Sequence, residues 1–233
     1  MWGIEHIGVW REMREMNCEK GTNDMEHGSL QDLLDARRDE RAKAFDDLLN
    51  SKGNITYQQY SDYSIMFDRN ERPGTLAALY ESGRCEPSEL AAMIADAWTL
   101  AEYPAQCLDP DYWEFMFSDA GYHGLSGELL KRPCEPVTLF RGASIGETVR
   151  GFGMSWTVDR EQAQWFANRN MILSEDEQAV FKAEIPSWLL LADYREQDRR
   201  VGRGEGEIVV LPFDGGDVPV SIVAYGEVAG DEF

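Results

Sequence analysis

Val137-Thr138-Leu139-Phe140-Arg141-Gly142 is where the chain changes character. Its β-branched and aromatic residues suit a pleated surface, and short runs of the same kind follow at Met154 to Val158, Val180 to Ile185, Glu207 to Leu211 and Val218 to Val228. These runs predict that residues 136–233 are mostly sheet. One helix interrupts them over Asp159 to Asn170, with Asp159 as cap and Ala163, Trp165, Phe166 and Ala167 as an apolar stripe. A second, short helix is expected over Ser187 to Ala192.

Upstream, the texture is helical. A hydroxyl cap and an acidic first turn at Ser29-Leu30-Gln31-Asp32 precede Leu33, Leu34, Phe45, Leu48 and Leu49, and Lys52-Gly53-Asn54 ends that helix. Helices are expected over Thr75 to Arg84 and over Pro87 to Tyr103, where Leu90, Met93, Ile94, Ala97, Trp98 and Ala101 fall at three- and four-residue steps. Those positions are read as core, with Glu89, Asp96 and Glu102 exposed. Asp109-Pro110 opens a further short helix that Gly121 stops. The expected fold class is therefore α+β, with a mainly helical region over 1–135 and a sheet core over 136–233.

The chain of 233 residues is 43% hydrophobic with seven tryptophans, a globular composition despite a formal net charge of −21. Such acidity argues against binding a nucleic-acid backbone or an anionic membrane surface and favours a basic protein partner. Between Arg84 and Lys131 there is no lysine or arginine. That region reads as a solvated acidic face, or as a dock for a basic target. Cys18, Cys85, Cys107 and Cys134 form no C-x-x-C pair, so a reducing cytoplasm is expected and a cysteine metal site is not. The start of the chain lacks a signal-peptide pattern, and no run reaches the ~18 apolar residues of a membrane span.

Three short elements carry the chemistry: Arg141-Gly142 at the end of a strand, Ser155-Trp156-Thr157, and Glu205-Gly206-Glu207. An arginine can grip a diphosphate bidentately, a serine can fix a ribose, and a carboxylate can stabilise positive charge at a sugar carbon. Strand alternation sets Ser155 and Thr157 on one face and Trp156 on the other, in the core. There is no H-E-x-x-H, no G-x-x-x-x-G-K-[ST] and no G-x-S-x-G, and His6, His27 and His123 all fall outside the sheet half. The glycines at Gly202, Gly204 and Gly206 precede a strand, the reverse of a Rossmann turn.

Together these motifs, over roughly residues 137 to 211, resemble the arginine-serine-glutamate class of mono-ADP-ribosyltransferases, which includes phage and bacterial members. The resemblance implies a split β-sheet core and NAD as co-substrate. It implies catalytic Glu207 and Glu205, and NAD contacts from Arg141, Gly142, Ser155, Trp156, Thr157 and Phe166, with Trp165 as an alternative to Phe166 or both as core anchors. Glu207 would accept a hydrogen bond from the nicotinamide ribose and favour the oxocarbenium-like state; Glu205 would orient a target guanidinium and take its proton. E-x-E points to arginine on a protein substrate as acceptor. Arg199, Arg200 and Arg203 would lie in the substrate-recognition loop. The thirteen residues between Arg141 and Ser155 are fewer than in the well-known toxins, which leaves Arg150 as a substitute for Arg141. Two other readings stay open: an NAD glycohydrolase using the same pocket, and a non-catalytic acidic inhibitor of a basic partner. For a phage-encoded enzyme the compartment would be the host cytoplasm.

Overall fold

The computed structural model describes residues 27–195 and 206–227. The chain divides into two units, Met1–Phe45 and Asp46–Phe233. The first is described from His27, within α1 (His27–Leu49). Leu33 and Leu34 are exposed there.

The second unit holds both the remaining helices and the whole sheet. It runs α2 (Tyr57–Ser64), a 3-10 turn (Arg69–Glu71), α3 (Arg72–Glu81), α4 (Pro87–Leu100), α5 (Pro104–Cys107), α6 (Pro110–Ala120), β1 (His123–Gly124), β2 (Val137–Ser144), α7 (Glu147–Arg150), β3 (Ser155–Thr157), α8 (Arg160–Leu173), β4 (Gln178–Ile185), a 3-10 turn (Ser187–Leu189), β5 (Leu190–Asp193), β6 (Glu207–Val210) and β7 (Val220–Tyr225). The α+β class is as expected, with a seven-stranded mixed sheet in the order β1-β5-β6-β3-β2-β4-β7. All pairings are antiparallel except β1 with β5.

Local chemistry explains the helix starts. Thr56 and Gln59 form a reciprocal capping box on α2, Asp109 caps α6 through the Asp111 amide, and Asp159 accepts from the Glu161 and Gln162 amides at α8. Gly121 ends α6 at φ +75°, a conformation that disfavours a side chain. The helix expected over Ser187 to Ala192 is instead one 3-10 turn leading into β5. Leu190, Leu191 and Ala192 are buried, and β5 pairs with both β1 and β6, so sheet contacts outweigh the local helical tendency.

One core lies on a single face of the sheet and joins Leu139, Trp156, Phe181, Ile208 and Val210 to Phe152, Phe213 and Val218 of the connecting loops. On the other face, α8 sets Ala163 and Ala167 against Val180 and Phe140. A Cβ on Gly142 would fall 2.0 Å from the Ala163 carbonyl oxygen and 2.6 Å from the Ala167 nitrogen, so a glycine is required for α8 to lie this close. Trp165, two positions round from Ala163, is 51% exposed under the Arg169 guanidinium and is no core anchor.

The helices α2 to α6 pack around Tyr60, Leu76, Leu90, Met93, Ile94, Trp98, Trp113 and Phe117, and α4 and α6 reach the sheet at β1 and β5. Asp96, expected in solvent, is half-buried and accepts from Arg72 Nη1 at 2.5 Å. Burying Arg72 without a carboxylate would strand its charge, which draws Asp96 inward.

Candidate functional site

Strands β2, β3 and β6 are consecutive neighbours in the sheet, and they carry Arg141-Gly142, Ser155-Trp156-Thr157 and Glu207 respectively. The register pairs Phe140 with Thr157 and Thr157 with Glu207, so Thr157 and Glu207 share a face. Trp156 pairs with Ile208 on the opposite face and is buried there, stacked on Phe213, with its indole donating to the Gly153 carbonyl at 2.9 Å. Trp156 therefore leaves the expected NAD-binding set, because alternation on so short a strand commits it to the core. Ser155 is exposed at the start of β3, while the buried Thr157 hydroxyl accepts from the Asp159 amide at 3.1 Å and so ties β3 to the start of α8.

Arg141 pairs with Phe181 on β4, which sets it on the face opposite Glu207. Its side chain spans from β2 to β3. Nε and Nη2 donate to the two oxygens of Glu147, each at 2.7 Å, and Nη1 donates to the Ser155 carbonyl at 2.6 Å. Room for the guanidinium comes from Gly153, where a Cβ would lie 2.5 Å from Nη2. Glu147 stands on α7, the single helical turn that the thirteen-residue connection accommodates. Burial alone would raise the Glu147 carboxyl, but the Arg141 charge and hydrogen bonds hold it below the usual range. Burial likewise works to lower Arg141, and Glu147 with the Glu207 charge more than offsets it. Contacts among the described residues use three of the five guanidinium donors. Arg150, the substitute arginine, is exposed and lines a different cleft of about 390 Å³ with Ser144, Asp176 and Glu177.

Glu207 begins β6. Its Oε1 accepts the indole N–H of Trp98 at 2.9 Å, and its backbone carbonyl accepts the Tyr194 amide at 2.9 Å. Behind it, the Tyr194 hydroxyl meets His123 Nε2 at 3.1 Å, while His123 Nδ1 lies 2.6 Å from the Gly121 carbonyl. A carbonyl can only accept, so Nδ1 carries the proton and Tyr194 donates to Nε2. Burial lowers the His123 pKa, against the opposing pull of the Gly121 carbonyl and Glu128. Burial, then the charges of Glu207 and Glu128, raise Tyr194 well above its ordinary value. His123 belongs to β1, so this histidine lies in the sheet after all.

The structure thus brings together Thr157, Glu207 and Trp98, and links Arg141 to Ser155. Phe166 stands on α8, half-buried and edge-on to Trp165 at 5.0 Å. Glu205, Arg199, Arg200 and Arg203 lie outside the described residues. Four participants escaped the sequence reading: Glu147, Trp98, His123 and Tyr194. Trp98 had one legible signal, since a tryptophan on an otherwise apolar helix face is the residue there that carries a hydrogen-bond donor. The His123–Tyr194 contact joins positions 71 apart and had no signal in spacing. Compared with known proteins, the chain matches no family model, no curated protein and no solved structure.

Proposed function

We propose that this protein is an NAD-dependent mono-ADP-ribosyltransferase that modifies arginine on a protein target and releases nicotinamide. The observation that carries the reading is the adjacency of β2, β3 and β6, which joins strands far apart in sequence, with Arg141 reaching the start of β3 from one face and Glu207 standing on the other. In this reading Arg141 holds the exposed start of β3 and offers its remaining N–H groups to the NAD diphosphate. A half-buried, permanently charged guanidinium beside an exposed serine suits a phosphate-bearing ligand. Glu207 stands ready to stabilise positive charge at the ribose carbon C1′.

The reaction breaks the bond between C1′ and the nicotinamide nitrogen, and the electron pair leaves with nicotinamide. A guanidine nitrogen of the target bonds to C1′, and its proton passes to Glu205. Three free thiols among the described residues, Cys85, Cys107 and Cys134, suit a reducing cytoplasm as the place of action.

The test is transfer of label from adenylate-labelled NAD to polyarginine, with polylysine as control. Label on polyarginine alone supports the reading. Nicotinamide release with all label in free ADP-ribose replaces it with a glycohydrolase.

A further inference from the structure

Trp98 comes from the helical half of the chain, yet its only hydrogen-bonding atom is aimed at the carboxylate of Glu207, 109 positions away. The ring is 2% exposed and wedged edge-on between Trp113, at 5.0 Å, and Phe117, at 5.4 Å. These two rings allow the indole little rotation, so its N–H is a fixed donor. An indole N–H donates and never accepts, so it favours the ionised carboxylate over the acid and holds that oxygen in one orientation. A core tryptophan needs a partner for its N–H, but a backbone carbonyl serves: Trp113 uses Pro104 O at 3.1 Å and Trp156 uses Gly153 O at 2.9 Å. Of these three buried indoles, Trp98 alone donates to a charged side chain.

We propose that Trp98 is the positioning residue of Glu207, fixing the carboxylate's orientation and charge state, so that α4 completes the site that β6 begins. This rests on the transferase reading of Glu207. The helical region is then part of the catalytic apparatus, since the strand alone leaves the glutamate without this donor.

The experiment compares wild type, Trp98→Phe, Trp113→Phe and a protein with 3-benzothienylalanine at position 98, which keeps the ring volume and removes only the N–H. Nicotinamide release is followed against pH, and indole ¹H–¹⁵N spectra are recorded with and without Glu207→Gln. For both position-98 variants we expect kcat to fall about 10- to 100-fold with KM little changed, the loss of one charge-assisted hydrogen bond. The acidic limb of the kcat profile should also move to higher pH. Trp113→Phe should lose stability without moving that limb. In the spectra, the indole resonance identified by its loss in Trp98→Phe should be displaced by Glu207→Gln more than those of Trp113 and Trp156. An active wild type whose position-98 variants keep its kcat and acidic limb, or an indole indifferent to Glu207→Gln, overturns the proposal alone. Wild-type protein that releases no nicotinamide overturns the transferase reading, and the proposal with it. The benzothienyl variant keeps the test decisive if Trp98→Phe fails to fold.

Discussion

Glu147→Gln isolates the ion pair that holds Arg141 between β2 and β3. Both side chains are less than one-fifth exposed, at 18% and 19%, and two 2.7 Å bonds join them. Glutamine keeps the shape and one acceptor but removes the charge, which leaves the largely buried Arg141 guanidinium without its paired carboxylate. Breaking one side of such a pair costs about 3–5 kcal/mol, and the retained amide oxygen brings the expected loss to about 2–4 kcal/mol. For a unit of this size that is a drop in Tm of roughly 5–15 °C. Urea unfolding of both proteins across pH provides the assay. Because Arg141 depresses the folded-state value of Glu147, its contribution is fully present above the ordinary glutamate value of about 4.3 and is lost as pH falls through the lowered one. The gap between wild type and Glu147→Gln should therefore be full at pH 7 and close in strong acid. A gap below about 0.5 kcal/mol at pH 7, or one that stays constant with pH, would refute this account of how Arg141 is held.

Other outcomes follow from the same geometry. Gly142→Ala should unfold the protein or lower its stability by more than about 2 kcal/mol, since the new Cβ meets α8 backbone that cannot yield, and thermal melts measure this directly. His123 is buried with a lowered pKa, so the unfolded state takes up the proton first. Stability should fall as pH drops below about 6.5, and urea midpoints for His123→Gln should show a shallower slope between pH 5 and 7. Independently of that geometry, the proposed transfer reaction predicts that Glu205→Gln spares NAD hydrolysis and reduces label transfer to polyarginine, because the proton from the guanidinium would lose its acceptor.

The starts of α4, α6 and α8 were legible because capping is local: Asp109, Asp159 and the prolines at the heads of α4 and α6 act within one turn. So were β2, β4 and β6, whose runs of Val, Phe and Ile have only sheet to join. In contrast, α2 went unread despite its Thr56–Gln59 capping box, and Ser29, read as a cap, lies inside α1. Other failures depended on partners distant in sequence. Leu190 to Ala192 became a strand because β1 and β6 stand on either side, and Asp96 turned inward because Arg72 lay across from it. At the candidate site, the reading found the motif residues but not their supports. Glu147 sat in a connection shorter than the toxins', where no helix was expected, and Trp98 was read as core. Trp98 is indeed core, and it also donates to Glu207, two roles that periodicity cannot separate.

The most direct test of the central claim is nicotinamide release from NAD by purified wild-type protein and by Glu207→Gln, with folding of both checked by circular dichroism. The account predicts release by the wild type and its loss, by at least about 100-fold, in a mutant that remains folded. A folded wild type that releases nothing, or a mutant that keeps the wild-type rate, would contradict it.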